Sequence, residues 1–207
     1  KPVKPYINLA EKIGKFIGQI VDDVIVKMEV SYLGEIAKID PSPLSTVILK
    51  GILESINPEG TVNFVNAPLI AKEKGLSITE TKNEDIKDFA NSIVVKITTK
   101  KDTHSVSGSL FASIGERITN VDGFAVDAVP MGSLLICPNE DKPGIVGRVG
   151  MFLGDHKINI AGMEVGRDKV GGKALMLINV DGDITKDMLA KLTKIDGIRA
   201  EAKLVKF

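Results

Sequence analysis

NEDKPGIVGRVGMFLGDHKINIAGMEVGRD, residues 139–168, is the stretch that decides the fold. Proline suits the first turn of a helix, so Pro143 predicts a helix running to about Asp155. Ile145, Val146, Val149, Phe152 and Leu153 share one face of it, the spacing of a helix that buries one side. Gly147, Gly150 and Gly154 line up beside that face. Each costs about 1 kcal/mol against alanine in a helix interior, so a close neighbour is expected there. Ile158–Val165 then reads as a strand. Working outward, Ser133–Pro138 is a strand before the helix, and Lys173–Val180 is a strand reached through Gly171-Gly172. Thr185 caps a second helix bearing Met188, Leu189, Leu192 and Ile195. Lys191 and Lys194 in its last turn suit the negative end of the dipole. Gly197 stops it. Ile198, Ala200, Ala202 and Leu204 then alternate with Arg199, Glu201 and Lys203 as a final strand. The order β-α-β-β-α-β is the ferredoxin-like split βαβ, and in such a sheet the second strand lies at an edge.

Upstream the pattern changes. Tyr6–Val26 is a helix candidate with Ile7, Ala10, Ile13, Ile17, Ile20 and Val24 at helical spacing. Its Gly14 and Gly18 sit four apart, where another element can approach. Met28–Ala37 alternates as a half-buried strand. Ser42-Pro43 opens a second helix, with Ser42 as its cap and Asn57-Pro58 as its stop. Thr61–Val65 reads as a short strand, and Asn66 caps a brief helix that ends at Gly75. Strands follow at 76–82, 92–99, 104–111, 116–121 and, after the Asp122-Gly123 hairpin turn, 124–128. Pro130-Met131-Gly132 breaks the pattern, which sets a domain boundary at 131/132.

Composition narrows the function. Lys+Arg and Asp+Glu number 27 each, so there is no net charge, and no basic block offers a nucleic-acid surface. No apolar run reaches the roughly 18 residues of a membrane span, and the expected location is cytoplasmic. Cys137 is the sole cysteine, which excludes an internal disulfide and points to a reducing compartment. With two histidines and one cysteine spread apart, no zinc site is expected. No Gly-x-Gly-x-x-Gly follows a strand, so the chain carries no dinucleotide fingerprint and no catalytic centre is visible. The start, Lys1-Pro2-Val3-Lys4-Pro5, is read as that of a severed piece of a longer chain.

The residues fit for chemistry lie in the quoted stretch. A loop ending at Pro143-Gly144 aims the free N–H groups of a helix start, here at Gly144 and Ile145, toward a carboxylate or phosphate. Asn139 and Asp141 line that loop, and Asp141 suits an ammonium group. Asn159 offers both a donor and an acceptor. Together they suit a zwitterion. A second reading stays open beside it: Asn139 and Asp141 cap the helix, and Asn159 takes a turn. In the first domain His104 with Arg117 forms a candidate anion site, against a bland reading as exposed strand ends. His156 serves a helix dipole and Cys137 belongs to the core.

DKPGIVGRVGMFLGDHKINIAGMEVGRD resembles an ACT domain, the amino-acid-sensing βαββαβ module. GRVG, NIAGMEVGR and GGKALM in sequence resemble the C-terminus of the D-3-phosphoglycerate dehydrogenase family. YINLAEKIG, VSYLGEIA, LKGILE, VNFVNAPLIAKEKG, SVSGSLF and ITNVDGFAVDAVP resemble the intervening, allosteric substrate-binding domain of its long form. The resemblance implies the regulatory portion of an NAD-dependent enzyme of L-serine synthesis, with L-serine or another small amino acid as effector at Asn139, Asp141, Gly144, Ile145 and Asn159. Asn159 matches the ligand-binding asparagine of serine sensors; Asn139 stands where short-form sensors have histidine, and Asp141 where they have asparagine. No cofactor is expected in this chain, with NAD belonging to catalytic domains beyond it. The whole is expected to be α+β: an intervening α/β domain (1–131) with a mixed or antiparallel sheet, then a ferredoxin-like ACT domain (132–207). The second ACT strand, apolar apart from Glu164, is expected to join a twin chain and make a homo-oligomer. Two alternatives remain: the ACT-containing part of an iron–sulfur L-serine dehydratase, and a free-standing amino-acid-binding protein.

Overall fold

The computed structural model describes residues 3–85 and 90–207 and divides into two units, 1–122 and 123–207. Lys1 and Pro2 of the proline-rich start lie outside the described residues.

In the first unit the order is α1 (Lys4–Ile20), β1 (Ile25–Gly34), a 3-10 turn (Glu35–Lys38), α2 (Ser42–Ile56), α3 (Ala67–Glu73), β2 (Ser77–Asn83), β3 (Asn91–Thr99), β4 (Thr103–Phe111) and β5 (Gly115–Val121). The strands lie in the order β2-β1-β3-β4-β5. β1 and β2 are parallel and the other pairs antiparallel, so the sheet is mixed. α1 is amphipathic because Leu9, Ile13, Phe16, Ile17 and Ile20 recur at helical spacing, and all are buried. It rests on β4 at Gly108, where a Cβ would stand 2.8 Å from Leu9 Cδ1. Glycines set its other contact. A Cβ on Gly14 would run into the Ile48 carbonyl; one on Gly18 would lie 2.8 Å from Ile52 Cα, and one on Gly51 2.8 Å from Lys15 N. The expected close approach at Gly14 and Gly18 is therefore made by α2. Tyr32 on β1 completes the tie, its hydroxyl 2.6 Å from Ser45 Oγ of α2 in the buried interior.

The second unit holds β6 (Phe124–Ala128), β7 (Ser133–Glu140), α4 (Ile145–Asp155), β8 (Asn159–Arg167), β9 (Lys173–Asp181), α5 (Lys186–Thr193) and β10 (Lys203–Lys206). Strand order β10-β7-β9-β8, all antiparallel, is that of the βαββαβ sheet. Leu135, Cys137, Met176 and Ile178 meet Ile145, Val149 and Leu153 of α4 and Met188 and Leu192 of α5 in one buried cluster. Thr185 caps α5 as its sequence predicts, accepting from Met188 N at 3.2 Å. The division between units falls a strand earlier than the boundary at 131/132. β6 belongs with the second unit because it packs on β8, where a Cβ on Gly166 would lie 2.6 Å from the Ala125 carbonyl oxygen.

Five local expectations give way to specific interactions. Residues 61–65 are turns, not a strand. Asn63 Oδ1 accepts from Val65 N and Asn66 N, and Asn66 Nδ2 donates to the Thr61 carbonyl, so side chains replace ladder bonds. Asn66 Oδ1 accepts instead from Asn63 N at 2.7 Å, and Asn66 does not cap α3. Ser42 sits inside α2 and does not cap it; Asp40 Oδ1 accepts from both Ser42 N and Ser42 Oγ. The last strand begins only at Lys203, since Arg199 N donates to the Pro138 carbonyl and Ala202 N to Thr193 Oγ1 outside any regular ladder. Finally, a Cβ on Gly147, Gly150 or Gly154 would meet nothing within 4 Å, so among the described residues no neighbour occupies that side of α4.

Candidate functional site

Asn139 lies near the end of β7, opposite Ala174 of β9 and bridged to Ile198. Side chains alternate along a strand, so Asn139 shares the face of Leu135 and Cys137, the face that α4 covers. It is 3% exposed. Its Nδ2 donates to the Glu140 carbonyl at 2.7 Å, while its Oδ1 is enclosed and has no hydrogen-bond donor. A buried acceptor left bare costs about 1–3 kcal/mol, so this atom marks a place where a donor belongs. α4 starts nearby in sequence, after Gly144 in the left-handed region (φ 88°). No side chain caps α4 and its first turn has no acidic residue. The N–H groups of its first turn have no intrahelical acceptor, and its positive dipole end is not neutralised. Ile145 is buried beneath Gly197, where any Cβ would collide with it. Contrary to the capping reading, neither Asn139 nor Asp141 caps α4.

Asp141 is held elsewhere. Its Oδ2 accepts from Gly171 N at 2.9 Å and from Arg167 Nη1 at 3.3 Å, tying the loop before α4 to the β8–β9 hairpin. Asn159 lies at the other end of β8, its Nδ2 donating to Asp181 Oδ2 at 2.8 Å. Asn139 faces position 174 and Asn159 faces position 181 of β9. At about 3.3 Å per residue that separation is roughly 23 Å. Asn139, Asp141, Gly144 and Ile145 thus share one short segment, in which Asp141 turns to the β8–β9 hairpin, and Asn159 lies apart. Arg167, Gly171 and Asp181 were missed in the sequence, because only hairpin register reveals whom they face.

His104 and Arg117 do not converge. Arg117 faces Ser109, five positions along β4 from His104. His104 Nδ1 is 2.8 Å from Asp122 Oδ2, and its Nε2 3.7 Å from Asp102 Oδ2. Carboxylates on both sides of the ring suit a cation, not an anion. Arg117 Nη1 donates to the carbonyls of Ile114 and Glu116 at 2.6 and 2.9 Å. Burial pushes the Cys137 thiol up to about 12, which suits a core residue. His156 Nδ1 is 2.8 Å from the Phe152 carbonyl oxygen at the C-terminus of α4, as the dipole reading expects. Among the described residues no group of three or more His, Cys, Asp or Glu is placed to hold a metal ion. No described helix is long and apolar enough to cross a membrane.

Two family models match this chain. One, the D-3-phosphoglycerate dehydrogenase intervening domain, covers residues 2–122; the other, the ACT domain, covers residues 134–197. The chain belongs to the D-3-phosphoglycerate dehydrogenase family. Relatives of that name from Synechocystis and Bacillus subtilis are 37% and 36% identical, each over 95% of this chain. One from Methanocaldococcus jannaschii is 36% identical, also over 95% of this chain. The chain spans 36–37% of the length of these relatives. A solved homoserine dehydrogenase from Thiobacillus denitrificans aligns over 56% of this chain and 33% of its own at 12% identity, with a TM-score of 0.28, and carries no argument. Of the families left open by the sequence, the intervening-domain match selects that of phosphoglycerate dehydrogenase over the dehydratase.

Proposed function

We propose that this chain is the regulatory, effector-binding portion of an NAD-dependent D-3-phosphoglycerate dehydrogenase, and that its ACT module binds L-serine. The observation that carries the reading is the enclosed, donorless Oδ1 of Asn139, in the segment that leads into an uncapped helix start. The ammonium of an amino acid supplies the donor, and its carboxylate takes the free N–H groups at Gly144 and Ile145. Asp141, already anchored by Gly171 and Arg167, adds negative charge on the ammonium side.

Asn159 enters through a second chain. β8 is an edge strand with Val165 exposed and Met163 half-buried. Two copies of β8 pairing antiparallel about Met163 set Asn159 of one opposite Arg167 of the other, within a residue. Arg167 holds Asp141, so the twin's Asn159 reaches the end of the sheet that its own chain denies it. An effector at that seam touches both chains, and differential contact of this kind is what allosteric control requires. Catalysis and NAD belong to the parts of the enzyme beyond this chain.

Calorimetry with L-serine tests the reading. Removing a hydrogen bond to a charged group costs about 1.5–3 kcal/mol, so Asn139→Ala and Asn159→Ala should each weaken binding roughly tenfold or more. Met163→Lys should shift the mass seen by light scattering toward monomer and weaken serine binding with it. Unchanged isotherms in both asparagine variants would sink the site.

A further inference from the structure

We propose that the outer edge of β2 is an interaction surface of the first unit, and that its partner is β2 of a second copy of this chain. β2 ends the first unit's sheet on one side and pairs in parallel with β1 alone. All seven of its residues, Ser77–Asn83, are exposed. The helix layer stops short of it. α1 and α2 run side by side in the same direction, since Gly14 meets Ile48 and Gly18 meets Ile52. α1 rests on β4 at Gly108, and α2 is tied to the sheet at Tyr32 of β1. Met28, Val30 and Tyr32 of β1 are 0% exposed, while Ile78, Glu80 and Lys82, their partners in register, stand open. Alternate residues of an edge strand turn N–H and C=O groups outward. Among the described residues none beyond β1 bonds to those of β2.

Edges left this open are normally blocked by a proline, a bulge or a lone lysine. β2 has no proline and keeps register with β1 from Ser77 to Asn83 without a bulge. Its two charges do not block it either, because Glu80 and Lys82 stand two positions apart with opposite signs. A two-fold axis pairs an edge with its own copy when the strands run antiparallel. Centred on Thr81, that pairing sets Glu80 of each chain opposite Lys82 of the other on one face. On the other face Thr79 meets Asn83, and Thr81 meets its own copy. Opposite charges and facing threonines are among the cross-strand pairs that stabilise an antiparallel ladder. Moving the centre by one residue sets Glu80 against Glu80 or Lys82 against Lys82, so the charges select one register. Both groups are available for it. Glu80 has no hydrogen bond or ion pair among the described residues, and Lys82 Nζ makes one exposed bond, 2.8 Å to the Ile39 carbonyl oxygen, which a carboxylate can replace. This seam is independent of the one at β8, and a chain with two different isologous seams assembles past the dimer.

Sedimentation equilibrium on the full 207-residue chain tests it, over a series of protein concentrations. Parent and variants all carry Met163→Lys, so whatever that change does at β8 is common to both sides of each comparison. The parent should still associate. Glu80→Lys sets cations, and Lys82→Glu sets carboxylates, at all four facing positions. Each should weaken the association roughly tenfold or more. An equimolar mixture of the two variants puts every cation opposite a carboxylate again and should recover the parent's affinity as a mixed pair. A misfolded chain could not be rescued in this way. The double variant, Glu80→Lys with Lys82→Glu, restores the match within one chain and should associate as the parent does. A monomeric parent, single variants that associate as tightly as it does, or a mixture no tighter than its components overturns the proposal.

Discussion

Replacing Gly51 by alanine should destabilise the first unit, although the same change elsewhere in this protein should do the opposite. At Gly51 a Cβ lands 2.8 Å from Lys15 N and 3.0 Å from the Glu11 carbonyl oxygen. Both are main-chain atoms of α1, so relief requires the two helices to part by roughly half an ångström or more before ordinary carbon contacts near 3.5–4.0 Å are restored. Overpacking of this sort costs about 1–3 kcal/mol, and main-chain neighbours place it at the upper end. The helix-propensity gain of alanine returns about 1 kcal/mol, leaving a net loss of about 1–2 kcal/mol. Gly150 on α4 is the control: a Cβ there meets nothing within 4 Å. Gly150→Ala should therefore raise the stability of the second unit by about 0.5–1 kcal/mol. Urea unfolding followed by circular dichroism, fitted with a transition for each unit, reads both effects. With slopes of about 1–3 kcal/mol per molar urea, the two midpoints should move in opposite directions by several tenths of a molar unit or more. A Gly51→Ala protein as stable as wild type would show that the helix crossing is loose and the geometric reasoning wrong.

Three further outcomes can be checked. Cys137 should resist thiol reagents at pH 8 in the native protein and react once unfolded. Because burial raises its pKa from 9.0 to about 12, its contribution to stability is complete below pH 9 and is lost as pH rises toward 12; rapid native labelling would contradict this. Thr185→Ala removes the cap on Met188 N and should cost the second unit about 1 kcal/mol, with Thr185→Ser retaining most of it; equal urea midpoints for all three proteins would show the cap is idle. Tyr32→Phe leaves Ser45 Oγ buried without its partner and should cost about 1–2 kcal/mol, part of which the added Ser45→Ala change should restore; no recovery in the double variant would show that packing, not the hydrogen bond, is at stake.

Periodicity made most of the architecture readable in advance. The βαββαβ order, the Thr185 cap, the glycine notch on α1 and the Asp122-Gly123 turn, with φ of 50° and 88°, all rest on local rules that the structure obeys. What failed was decided by side chains answering partners elsewhere. Residues 61–65 have the composition of a strand, yet Asn63 and Asn66 fold them into turns. Gly147, Gly150 and Gly154 have the spacing of a tight interface, but among the described residues none comes within 4 Å of a Cβ there. In the candidate site, Asn139 was legible as a polar residue before a helix start, and its burial was not. The role of Asp141 could not be seen without knowing that Arg167 and Gly171 face it across a hairpin. His104 and Arg117 were read as a candidate anion site, and register sets them five positions apart.

The parallel course of α1 and α2 bears on how the chain comes off the ribosome. Antiparallel helices can close through a short loop as soon as both exist. Here Gly14 must wait for Ile48, with β1 and a 3-10 turn laid down in between. Closing a segment of that length costs roughly 3 kcal/mol in chain entropy, beyond a constant term. At about 5–20 residues per second, the partner surface emerges roughly 2–7 seconds after the notch that receives it. For those seconds the apolar side of α1 is an orphan, and whatever shields it then, chaperone or ribosome surface, must let go when α2 arrives.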